Sequence, residues 1–92
     1  MTRKKKIEEQ MKKIEEAIHI LEEIGGITTI PRNIRRAAND AVSALKNEEF
    51  TPAVRAANAI STLEPILYDP NMPSYARVKI WNVMGLLETI RD

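Results

Sequence analysis

Apolar residues recur along this chain at a helical period and fall into four blocks. In the first block Ile7, Met11, Ile14, Ile18 and Leu21 are spaced 4, 3, 4 and 3 apart, which holds them on one stripe. The pattern predicts a helix over 3–24. Glu8–Lys12 and Glu9–Lys13 add two Glu-first pairs four residues apart, each supporting the helix by a few tenths of a kcal/mol. Ala17, Ile20 and Ile24 then widen the apolar face, and at about 100° per residue Ile20 points well away from Ile18. That end needs cover from two directions, by other helices or by a second chain. Gly25-Gly26 is expected to stop the helix, because glycine takes the left-handed conformation common at helix C-termini.

The second block predicts a helix over 31–46, with Ile34, Ala38, Ala41, Val42 and Leu45 on its inner stripe. Thr28 or Thr29 is the expected cap and Pro31 suits the first turn, where its missing N–H costs nothing. Asn47 is the expected terminator, and Thr51-Pro52 repeats the cap-and-proline signal to open a third helix over 52–67. Its inner face reads Ala53, Ala57, Ile60, Leu63 and Leu67, and Pro65 should kink or end it near the last turn. Asp69-Pro70-Asn71-Met72-Pro73 is a rigid turn. The fourth helix is predicted over 74–91, where Ala76, Ile80, Val83, Leu87 and Ile90 again run 4, 3, 4, 3. Short connections imply antiparallel packing of successive helices, and no stretch alternates as a strand, so the fold class is all-α, a compact four-helix bundle-like domain spanning 1–92. Arg36-Ala37-Ala38-Asn39 recurs as Arg55-Ala56-Ala57-Asn58, which reads as convergent alanine-rich packing rather than a duplicated helix.

Composition narrows the function classes. With 92 residues the chain makes one domain with a modest core, to which self-association would add stability. Hydrophobic residues at 43% and charged residues at 29% exclude wholesale disorder, and 4% aromatics make the core aliphatic. The absence of cysteine removes disulfides, thiolate nucleophiles and Cys-type zinc sites, and fits a cytoplasmic protein. No apolar run approaches a membrane span, and the basic Arg3–Lys6 leads into Glu8 and Glu9 rather than a signal peptide. A net charge of +1 supplies no global drive toward nucleic acid.

Three segments taken together carry a resemblance. They are the run Gly25-Gly26-Ile27-Thr28-Thr29-Ile30-Pro31-Arg32-Asn33-Ile34-Arg35-Arg36-Ala37, the Asp69–Pro73 turn, and the Arg77…Trp81 helix. They resemble a small archaeal family, uncharacterised protein family 0147, over nearly the whole chain, with Ile-Pro-Arg-Asn-Ile-Arg the most specific part. The resemblance implies an archaeal cytoplasmic protein with a helical-bundle fold. It implies no activity, cofactor or catalytic residue.

Candidate chemistry is sparse. His19 is the only histidine and sits at the edge of its helix's stripe. A general base needs an orienting partner and a pocket, and Glu15, Glu16, Glu22 and Glu23 around it read as a solvated face. A bundle metal site needs inward Glu and His from several helices, which the other blocks do not offer. Gly25-Gly26 has no phosphate-loop context, and Ser43, Ser61 and Ser74 have no histidine partner. No enzyme, metal, cofactor or small-molecule substrate is expected.

Two surfaces remain. On the second helix Arg32, Arg35, Arg36 and Lys46 share an arc with Asn39 and Ser43, and first-turn cations oppose the helix dipole. They either pair with the Glu-rich first helix, the favoured reading, or meet nucleic-acid phosphates. No aromatic platform accompanies them, so base stacking has no support. On the fourth helix Val78, Trp81 and Gly85 lie opposite Val83 and form a second apolar patch, either an interface or a face covered by the first helix. The preferred function is a non-enzymatic interaction protein, a homodimer or a subunit, using Ile20, Ile24, Val78, Trp81 and Gly85. The alternative is an accessory nucleic-acid-binding module using the arginine face and the basic Arg3–Lys6 N-terminus.

Overall fold

The protein is described by a computed structural model covering residues 3–91, with the side chain of Arg3 outside the described part. Four α-helices follow one another: α1 (Arg3–Gly26), α2 (Arg32–Lys46), α3 (Pro52–Leu63) and α4 (Ser74–Glu88). A single 3-10 turn, Glu64–Ile66, follows α3. The all-α bundle expected from the periodicity is observed, with no strand among the described residues.

The helix ends differ from expectation in instructive ways. α1 runs through Gly25 and Gly26, and no described glycine has a positive φ, so the pair is not a left-handed stop. At Gly25 a Cβ would collide with Oδ1 of Asn39, the end of an exposed side chain, so the glycine leaves room for this placement of the Asn39 amide. α2 begins one residue after Pro31, and neither threonine caps it. Thr28 and Thr29 occupy the turn itself, too early to reach the first N–H groups, and no side chain caps this helix. Thr51 does cap α3, its Oγ1 accepting from Val54 N at 3.3 Å, with Pro52 as first helical residue. α3 stops at Leu63 rather than 67 because Pro65 has no N–H to continue the ladder, and the chain tightens into the 3-10 turn. α4 ends at Glu88 rather than 91, where Thr89 N and Ile90 N fold back on Leu86 and Leu87 carbonyls.

The three corners that open α2, α3 and α4 are copies of one device. Ile30 N donates to Ile27 O (3.1 Å), Phe50 N to Asn47 O (3.3 Å) and Met72 N to Asp69 O (3.1 Å). Arg35, Arg55 and Arg77 each stand fourth in their helix, and their amides close the first turn on Pro31, Thr51 and Pro73. Their side chains reach back over the corner. Arg35 Nε donates to Ile30 O at 2.9 Å and Arg55 Nε to Phe50 O at 2.8 Å, whereas Arg77 uses Nη2 on Asp69 O at 2.9 Å. Arg77 Nε is left buried without a partner. Arg35 is therefore the counterpart of Arg55, and the repeated Arg-Ala-Ala-Asn string, which aligns Arg36 with Arg55, is one residue out of structural register.

α1 and α4 run antiparallel. Gln10 Nε2 donates to Arg91 O, Lys13 to Thr89 Oγ1, and Glu23 meets Lys79 at 3.5 Å. α2 and α3 form a closely packed hairpin across them. The core gathers Ile14, Leu21 and Ile24 from α1, Ile34 and Leu45 from α2, Leu63 from α3, and Ile80, Val83 and Leu87 from α4. Alanines 38, 41, 56, 59 and 76 are buried at the crossings, where small side chains allow close approach. On α3 the buried residues are Ala56, Ala59 and Leu63; Ala53 and Ile60 lie at the rim, and Ala57 faces outward.

Candidate functional site

The α4 face turned away from the core carries the largest exposed apolar side chains in a row. Tyr75 is 48% exposed, Val78 59% and Trp81 49%. One turn past Trp81, Gly85 is exposed, and a Cβ built on it meets no heavy atom within 4 Å. Nothing described in the chain therefore requires glycine there, although glycine in a helix interior is less stable than alanine by about 1 kcal/mol. Trp81 stays half-exposed among the described residues, while the opposite Ile80–Val83–Leu87 face of α4 enters the core. Tyr75 extends the patch by a turn; its position three residues before Val78 was legible in the sequence.

Ile24 and Ile20 do not belong to this surface. Ile24 is fully buried in the core, and Ile20 is half-buried against its edge. The two directions of cover at this end of α1 come from α2 and α4 of the same chain.

The arginine arc of α2 is divided by its surroundings. Arg35 is committed to the Ile30 carbonyl, and Lys46 lies 3.7 Å from Glu22 of α1, with both side chains more than half exposed. Arg32 and Arg36 are exposed and have no partner among the described residues. The acids of α1 thus meet Lys46 but not the arginines.

His19 points to solvent, its side chain 78% exposed and 3.5 Å from Glu23, which also meets Lys79. Among the described residues no group of three or more His, Asp or Glu side chains is placed to hold a metal ion. No described helix is long and apolar enough to cross a membrane.

Two features escaped the sequence reading. Asp69 ties two corners together: Asn33 Nδ2 donates to its Oδ2 at 2.7 Å and Asn71 N to its Oδ1 at 2.8 Å. The Asn33 amide, then the Asn71 N–H and the nearby Arg77 cation, hold its carboxyl below the usual 3.8. The second feature is an open groove of about 380 Å³ between α3 and the end of α4, lined by Ala53, Ala56, Ala57, Ile60, Leu87, Glu88, Ile90 and Arg91. At the same end Ile7, Phe50 and Val54 are exposed apolar residues.

Comparison with known proteins places these features in context. The sequence profile described as Uncharacterised protein family (UPF0147) matches residues 1–90. A UPF0147 protein of Sulfurisphaera tokodaii is 55% identical over 80 residues, covering 87% of this chain and 90% of that protein. One from Desulfurococcus amylolyticus is 51% identical over 80 residues, covering 87% and 88%. A crystal structure of the unknown function protein MMP1188 is similar with a TM-score of 0.84 at 49% identity, covering 87% of this chain and 91% of that one.

Proposed function

The chain belongs to the uncharacterised protein family UPF0147, and from that premise we propose that it acts without catalysis, in the cytoplasm, as a small helical module that associates with itself or with a protein partner. The observation that carries this reading is the only tryptophan, half-exposed on α4 between Val78 and a glycine that nothing inside the chain explains. Large aromatic side chains bury about 150–250 Å² each, so the still-exposed halves of Tyr75 and Trp81 together with Val78 leave roughly 300 Å² to cover. At about 25 cal/mol per Å² that is roughly 7 kcal/mol of gross stabilisation, of the same order as the cost of association. The stripe is an anchor, and polar flanks must contribute the rest.

Light scattering across a concentration series, with Trp81 emission read in parallel, tests the reading. The expected result is a blue shift of Trp81 emission as the concentration rises and Trp81 leaves water, with a larger mass than the Trp81→Ala chain shows at the same concentration. A mass of 10.4 kDa at the highest concentration, with emission unchanged across the series, counts against it.

A second reading has one observation in its favour. Arg32 and Arg36 are unneutralised by α1 and stand at a helix start without acids, an arrangement suited to nucleic-acid phosphates. It predicts binding that weakens steeply with salt and that Arg32→Ala with Arg36→Ala abolishes.

A further inference from the structure

α1 outruns the helix it pairs with. α4 stops at Glu88, and the next residue, Thr89, is already opposite Lys13. Gln10 meets Arg91, and α1 continues back to Arg3, about 10 Å further at 1.5 Å per residue. The core stripe does not end with the bundle. Ile14 is buried, Met11 is half-covered and Ile7, next on the same stripe, is 47% exposed. The open groove between α3 and α4 lies at this same end, beside Met11, which touches Arg55 of α3. An uncovered apolar helix face and an open groove, with an Ala57–Ile60 wall on α3 and Glu88 and Arg91 on its α4 side, thus share one end of one chain.

We propose that a second copy of this chain fills the groove with its α1 tip, Ile7 seating against Ala57 and Ile60, and that a two-fold axis makes the exchange mutual. A two-fold axis perpendicular to α1 turns the partner's α1 antiparallel to the first. Since α1 is antiparallel to α4 within the chain, the partner's tip then runs parallel to α4. In that direction Lys4, one turn before Ile7, comes opposite Glu88, and Glu8 comes opposite Arg91. The reversed direction would set Lys4 against Arg91 and Glu8 against Glu88. The charges at the rim of the groove therefore favour the orientation that a two-fold axis perpendicular to α1 gives. Among the described residues the side chains of Lys4, Glu8, Glu88 and Arg91 have no partner within the chain.

Two helical turns about 10–12 Å across present roughly 200 Å² on one face. Because each copy gives a tip and receives one, about 400 Å² per copy is covered, half of the roughly 800 Å² of a standard interface, so the exchange is a weak, concentration-dependent contact. This surface is separate from the Trp81 stripe, and the proposal does not rest on that reading.

The absence of cysteine from the chain allows a direct test on the full chain. Ile7→Cys and Ala57→Cys are made in separate chains, mixed and gently oxidised. Both positions are exposed on helices, and circular dichroism checks that each variant folds. The expected result is a mixed disulfide forming at least tenfold faster than between Ile7→Cys and Glu16→Cys, an exposed control on the far part of α1. Glu88→Lys should slow it several-fold and Lys4→Glu on the other chain should restore it. Trp81→Ala should leave it unchanged. A rate equal to the control, or no rescue by the charge exchange, overturns the proposal. So does a rate that collapses with Trp81→Ala, since the copies would then meet through α4 and some other helix would be the groove's occupant.

Discussion

Replacing Gly85 with alanine separates what α4 needs for its own stability from what its outer face is kept for. Gly85 lies inside α4 with φ negative, and the space above it holds no atom within 4 Å. The added methyl therefore meets no clash and no backbone strain. Alanine exceeds glycine in a helix interior by about 1 kcal/mol, part of it through the lower entropy of the unfolded chain. For a domain of 60–100 residues 1 kcal/mol raises Tm by about 4–8 °C. The isolated chain, assayed dilute by thermal or urea unfolding, should be more stable by that amount. Association through the stripe should move the other way, because a methyl at its end, one turn past Trp81, holds the partner off the indole. A loss of about 1.4 kcal/mol is a tenfold weaker dissociation constant, readable by light scattering. Two results refute parts of this reasoning separately. A Gly85→Ala chain that is less stable means the chain itself needs the glycine. One that is more stable but associates undiminished means that the stripe is not the contact.

Two further outcomes follow from the corners. Arg35→Met keeps the aliphatic stem but removes the donor to the Ile30 carbonyl, and should cost about 1.5 kcal/mol in urea unfolding, the low end of the range for a hydrogen bond to a charged group because this one is only part-buried; Arg36→Met, on the exposed side of the same helix, should cost nothing measurable, and equal costs would show that the clamp contributes nothing. Asp69 is held more acidic in the folded chain than in the unfolded one, so its contribution is present above about pH 4, the ordinary carboxylate value, and is lost as the pH falls through its lowered folded value. Asp69→Asn should flatten that part of the stability–pH curve while leaving the neutral-pH slope alone, and an unchanged acid limb would assign the loss to other carboxylates.

The periodicity of apolar residues was enough to find four helices, because helix formation depends on neighbours three and four residues apart and those neighbours are written consecutively. Thr51-Pro52 opening α3 and Pro65 closing it were legible for the same local reason. The corner device was also written locally, as an apolar residue followed five places later by arginine: Ile30 and Arg35, Phe50 and Arg55, Met72 and Arg77. It was hidden by the stronger Arg-Ala-Ala-Asn echo one residue out of register. Which apolar face meets another helix is a different kind of question. Ile24 and Val78 both stand off their helix's main stripe, yet Ile24 is fully buried and Val78 is 59% exposed. Arg35 and Arg36 are adjacent, yet one is fastened to a carbonyl and the other stands in solvent. Gly25 borders the side-chain amide of Asn39, fourteen residues on. Sequence by itself thus determined where the helices form and which residues turn the chain between them. Only the tertiary structure decided which faces remain uncovered, because burial depends on what lies across a helix interface, and that neighbour is set by how all four helices pack at once.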